Sequence, residues 1–272
     1  MAVDPIAIPS APVGALSTHK KVPYHQAKHL IVDIETMGVT IPSPILSVGA
    51  VLLDFTQTPH VVRPVFFKMD PKESVGAPDA ETILWWLHQS EAARNEAFFS
   101  PVTEHAYDRL EAFMSEMKPD YYWGKAPDFD FGHLAAQFKA QGRTIPWKFW
   151  QLRDIRTMEG LGLTGYESDD PVWQDLKLTA ESAKTGAHCA LMDAFVEAKV
   201  VYETTLILKT LKACFPGYAA PTKIPGGGLF ADLLFYCLHL AERRIYWPPT
   251  CLGSVSLSTV IPLAVSVAHG ER

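Results

Sequence analysis

The segment H-L-I-V-D-I-E-T, residues 29–36, sets an uninterrupted apolar run directly against two carboxylates. A short run such as Leu30, Ile31 and Val32 reads as a strand buried on both faces at the centre of a sheet. Side chains alternate along a strand, so Asp33 and Glu35 project from one side at its C-terminal end. Two carboxylates held side by side repel each other, and a cation relieves the repulsion. An acidic strand end with no ligand is the plainer reading of this segment alone.

Two later segments carry the same chemistry. Tyr121, Tyr122 and Trp123 read as a strand and 124–127 as a turn. Phe131, Leu134, Ala135 and Phe138 then mark a helical face. Asp130 falls in the first turn of that helix or just before it, where an Asp also serves as an ordinary cap, and Asp128 could fill the same role. Further on, Leu191, Ala194, Phe195, Ala198 and Val201 have a helical period, which puts Asp193 on an amphipathic helix. His188 precedes Asp193 by five residues, about 140° around a helix. The histidine is therefore expected on the lead-in to the helix, over a site that Asp193 helps to build. Carboxylates gathered from different elements suit hard divalent cations. A histidine beside them can take a proton from water.

In this order the motifs D-I-E-T-M-G (33–38), W-W-L-H-Q (85–89), W-G-K-A-P-D-F-D (123–130), R-D-I-R-T (153–157) and H-C-A-L-M-D-A (188–194) resemble the DEDD exonucleases. The histidine and the five-residue spacing belong to the DEDDh (DnaQ-like) subclass. The finer likeness is to the phage exodeoxyribonuclease A type and its bacterial 3′-5′ exoribonuclease-like relatives. The resemblance implies an α/β ribonuclease H-like fold, a central mixed sheet flanked by helices. It also implies a metal-dependent 3′-5′ exonuclease that releases nucleoside 5′-monophosphates from single-stranded DNA or RNA 3′ ends. Two Mg2+ or Mn2+ ions would be held by Asp33, Glu35, Asp130 and Asp193, with His188 as general base and Glu35 touching both metal and water. Asp130, rather than Asp128, matches the family's F-D pattern, although K-A-P replaces the smaller turn usual before it. The phage-like likeness tilts the expectation toward DNA, and relatives of this group suggest a homodimer.

Substrate contacts follow from charge and aromatic content. The net charge of −6, from 24 basic and 30 acidic residues, argues against broad electrostatic attraction to nucleic acid. Contacts are then local: Lys125, Arg153 and Arg156 to phosphates, with Trp85, Trp86, Phe129 and Met37 as candidates for a base-stacking wall. Gly38 adjoins Met37, and Gln89 lies one turn from the tryptophans. Core packing is the plainer reading for both tryptophans, and adjacent helical residues point in different directions, so at most one of them reaches substrate.

The remaining pattern frames a domain. Residues 29–34, 45–54 and 62–69 read as strands, followed by helices around 79–89 and from Ser100, with Pro101 in the first position. Leu110, Phe113, Met114 and Met117 form a core stripe. Residues 1–27, rich in Pro, Ala and Ser, are expected to be a mobile extension, 28–212 the exonuclease domain and 213–272 a divergent segment of unassigned role. Residues 216–228 read as a linker and 229–241 as a short apolar helix; the uncharged 251–269 stretch is broken by Pro262 and hydroxyl residues, against a membrane span. Cys189, Cys214, Cys237 and Cys251 show no C-x-x-C pair, which fits reduced thiols in the cytoplasm. Two other readings are kept: a non-catalytic nucleic-acid-binding protein of the same fold, and an endonuclease or ribonuclease H-type activity.

Overall fold

Helices cover both faces of the strand that carries Asp33 and Glu35, and this is why its apolar run is continuous. The computed structural model describes residues 21–183 and 188–214. Its five strands are β1 (Lys28–Thr36), β2 (Ile45–Asp54), β3 (Val61–Lys68), β4 (Tyr121–Gly124) and β5 (Leu152–Asp154). They lie in the order β3-β2-β1-β4-β5. β2 runs antiparallel to both β1 and β3, whereas β4 and β5 continue parallel to β1. The sheet is thus mixed, with β1 in the middle, in the ribonuclease H-like arrangement that the motifs led one to expect.

The helices are α1 (Ala80–Leu87), α2 (Glu91–Arg94), α3 (Ala106–Met117), α4 (Pro127–Ala140), α5 (Ile155–Gly160), α6 (Pro171–Ala183) and α7 (Ala190–Cys214). One core joins Leu30, Val32 and Ile34 of β1 to Leu110 and Met114 of α3 and to Leu134 and Phe138 of α4. The other joins Ile31 to Trp173 of α6 and to Ala194, Ala198 and Val201 of α7. The alternation of β1 therefore turns Asp33 and Glu35 toward the α7 side, and the register shifts between Glu35 and Thr36.

Gly49 permits the approach of α7. It pairs with Asp33 across the β1–β2 ladder. A Cβ on Gly49 would lie 2.2 Å from the backbone of Ala190 and Leu191. A side chain there would push away the first turn of α7, and Asp193 with it.

Two boundaries depart from the sequence reading. The helix expected from Ser100 begins at Ala106, after His105 in a left-handed conformation (φ 53°). Residues 101–105 instead bind the end of β3: the Thr103 N–H donates to the Lys68 carbonyl, and the Lys68 N–H donates to the Thr103 hydroxyl. Those bonds outweigh the first-turn preference of Pro101. Residues 21–27, assigned to the mobile extension, are part of the folded unit: Tyr24–Gln26 form a 3-10 turn, and Val22, Tyr24 and Ala27 pack on the α7-side core. The rest of that extension, and the 216–228, 229–241 and 251–269 readings, lie outside the described residues. No helix among the described residues is long and apolar enough to cross a membrane.

Candidate active site

β1 supplies the first two carboxylates, and three other elements close on them. β4 ends at Gly124, next to the β1 exit, and Pro127 opens α4 in its favoured first position. Asp130 lies in the first turn of α4 and is only 5% exposed, whereas Asp128 points outward. Gly124 makes room for it, because a Cβ there would lie 2.6 Å from Asp130 Oδ2. From α7, Asp193 reaches the same place.

His188 stands just ahead of α7 with φ 34°, a conformation that most side chains avoid. Its ring meets Trp85 edge to face at 4.8 Å between centroids. Glu35, His188 and Asp193 each offer a ligand atom within 4.8 Å of the other two. Asp33, Asp130 and Asp193 share the lining of a cavity of about 420 Å3 with Lys125, Phe129, Arg156 and Glu197.

The electrostatics are those of crowded acids. Burial, followed by the charges of Glu197, Asp130, Glu35 and Asp193, lifts Asp33 well above the usual carboxylate range. Burial and the nearby Asp193 and Glu96 raise Glu35 to about 8, although Lys68 opposes them. Burial raises Asp130 to about 7 against the pull of backbone hydrogen bonds and Arg156. Asp193 is raised by burial and partly relieved by His188 and Lys125. Carboxylates assembled in this way are stabilised by divalent cations, and an oxygen-rich set beside one imidazole suits Mg2+ or Mn2+. The donor chemistry thus fits the metals that the motifs imply.

The substrate residues named from sequence divide sharply. Trp85, 44% exposed, lines a second cavity of about 490 Å3 with Val39, Thr82 and Phe129. Phe129 borders both cavities. Trp86 also reaches that lining but is buried, and its indole N–H donates to the Thr36 carbonyl at 3.0 Å. It therefore pins the end of β1. Arg156 and Lys125 edge the acidic cavity, Lys125 in an ion pair with Glu159 at 2.9 Å.

Four residues are not brought to the cavities. Arg153 donates to Tyr24 Oη and to the Trp150 and Leu152 carbonyls, and lies 4.6 Å from the Tyr121 ring centroid. These partners hold it at the far end of the strands. Met37 packs with Leu46 and Trp86. Gly38 is buried against Ser43 and Asp79. Gln89 donates back to the Trp85 carbonyl.

Sequence reading also missed residues. Glu197 follows Asp193 by one helical turn on the same face, a spacing that would have revealed it. Lys68 and Glu96 approach Glu35 from β3 and from the π-helical turn Asn95–Phe99, and no local pattern signals that meeting.

Residues 28–205 match the family described as Rv2179c-like, the 3′-5′ exoribonuclease Rv2179c-like domain. No curated protein matches the chain. A solved structure described as the nuclease domain of 3′hExo, a DEDDh family member, bound to rAMP, is similar at 9% identity and a TM-score of 0.36. That likeness covers 68% of this chain and 92% of the other.

Proposed function

The chain belongs to the Rv2179c-like 3′-5′ exoribonuclease domain family, and from that premise we propose that it removes nucleotides one at a time from the 3′ end of single-stranded RNA. The products are nucleoside 5′-monophosphates. The observation that carries this reading is the meeting of Asp33, Glu35, Asp130 and Asp193 with His188 beside an aromatic-walled cavity, all inside the matched span. The family's description favours RNA over the DNA that the phage-like motifs suggested.

Asp33, Glu35, Asp130 and Asp193 would hold two divalent cations. When bound, these cations supply charge to stabilise the leaving 3′ oxygen and make water acidic enough to attack at neutral pH. The chain's own residues do the rest. His188 accepts the proton of the attacking water, and its contact with Trp85 keeps the imidazole over Glu35 and Asp193. Phe129 and Trp85 receive the terminal base by stacking, which is tolerant of sequence. Lys125 and Arg156 offset phosphate charge at the rim.

The direct experiment uses 5′-labelled single-stranded RNA and DNA of equal sequence, with Mg2+, with Mn2+ and with EDTA. A metal-dependent ladder shortening from the 3′ end, faster on RNA, is the expected result. Intact substrates under every metal would overturn the enzyme reading in favour of a non-catalytic binding protein. Internal cuts would favour an endonuclease.

A further inference from the structure

Glu197 is the carboxylate of the acidic cavity that the DEDDh motif set leaves without a role. It is 5% exposed, and its Oε2 is shielded from water with no hydrogen-bond partner. It lines the acidic cavity together with Asp33, Asp130 and Asp193. Its position one turn beyond Asp193 keeps both on the face of α7 that looks at β1. A buried carboxylate with an idle oxygen is costly unless a cation or a proton neutralises it. Of the two cations that border the cavity, Lys125 and Arg156, Lys125 is already paired with Glu159.

The acids fall into two groups. Glu35, His188 and Asp193 converge within 4.8 Å, with His188 against Trp85, and Asp193 belongs to the acidic cavity as well. Asp33 and Asp130 line the acidic cavity and not the aromatic one, and Glu197 is there with them. Among charged neighbours, Asp33 feels Glu197 most strongly, and Glu197 feels Asp130 most strongly.

We propose that Glu197 is a protein ligand for a divalent cation on the Asp33–Asp130 side of the cavity, so that this chain retains a second ion before any nucleic acid binds. The inference rests on the metal-dependent reading above and deepens it. An ion held only by Asp33 and Asp130 would depend on substrate phosphate to complete its oxygen shell, whereas a third carboxylate lowers that dependence.

The test counts Mn2+ bound to the full chain without nucleic acid, by calorimetric titration and by the loss of free-Mn2+ paramagnetic signal. Wild type is expected to bind two ions. Glu197→Gln, nearly the same size, is expected to lose one ion or to weaken it at least tenfold, and Glu197→Asp to fall between. The Mn2+-induced rise in Tm should shrink in Glu197→Gln even if the metal-free variant is as stable as wild type or more so. That readout separates a ligand from a structural group. Unchanged stoichiometry and affinity in a folded Glu197→Gln overturns the proposal while leaving the exonuclease reading intact. Wild type that binds no Mn2+ overturns both.

Discussion

Phe129 separates two cavities of similar size, about 420 Å3 and 490 Å3, that differ in almost everything else. On the α7 side four carboxylates from β1, α4 and α7 crowd together, with Lys125 and Arg156 at the edge. On the α1 side Ile34, Val39, Trp85, Trp86 and Phe129 line the cavity together with Glu35, Asp79, Glu81 and two threonines. One compartment stores electrostatic repulsion that a cation relieves, and the other offers flat apolar surface to a base. The two acids of β1 share one face, but they lie two residues apart along the strand: Asp33 lines the first cavity, while Glu35, in the last regular pair before the register shift, lines the second.

The comparison can be broken at several points. Asp33→Asn or Asp193→Asn should abolish cleavage, by about 10³-fold or more in kcat. The fold should survive, with Tm in EDTA equal to or above that of wild type, because one repelling charge has gone. Near-normal turnover in either variant would remove the acidic cavity from the mechanism.

Gly49→Ala should come next. The added methyl meets the backbone of Ala190 and Leu191, so α7 must shift. We expect a loss of about 1–3 kcal/mol in stability. Because a displacement of about 1 Å can cost a hundredfold in rate, activity should fall on that order although Gly49 touches no substrate. Denaturant titration beside single-turnover kinetics measures both.

The aromatic side is sharpened by its two tryptophans. Trp85→Ala should cost about 1–3 kcal/mol of nucleic-acid affinity with little loss of stability. Trp86→Ala should instead cost about 3–5 kcal/mol of stability, since its ring is buried and holds the Thr36 carbonyl. Fluorescence binding and thermal melts would show the two effects reversed if the assignment is inverted.

The metal-free protein should also respond to pH. Glu35 sits at about 8 and Asp130 at about 7, above their ordinary 4.5 and 3.8. The folded chain thus keeps protons that the unfolded chain has released. The stability linked to them is whole below the ordinary values and is lost as pH rises through about 7 to 8. Mn2+ takes the place of those protons, so calorimetry should find a larger metal-induced rise in Tm at pH 8 than at pH 5. An equal rise at both would mean that the ions bind elsewhere.

The smallest effect separates two arginines. Arg156→Ala should raise KM roughly three- to tenfold. Arg153→Ala should leave KM unchanged, because its guanidinium is committed to Tyr24, Trp150 and Leu152.

Much of this was readable locally. The run Leu30–Ile31–Val32 specified a strand covered on both faces, and period-two alternation put Asp33 and Glu35 on one side. The 124–127 turn and the 131–138 stripe located Asp130 at the start of a helix, and the apolar period after Leu191 located Asp193. Each inference needs only neighbours in the chain. The start of α3 was misread because Thr103 bonds to Lys68, a partner 35 residues away. Met37 and Arg153 looked like substrate residues because their types suit that role. Their side chains are committed to Trp86 and Leu46 in one case and to Tyr24 in the other.

The sequence by itself determined the acidic and histidine set, the central strand and the helices that carry it, because periodicity and first-turn preferences act over a few residues. Only the tertiary structure decided which arginine edges the cavity, which tryptophan is exposed, and that Glu197 joins the acids. It also decided that α7 can rest on β2 at all, since Gly49 matters only when the backbone of Ala190 arrives from 141 positions away. Those outcomes depend on packing between distant segments, where contact is set by the whole sheet and its helices rather than by the residues alone.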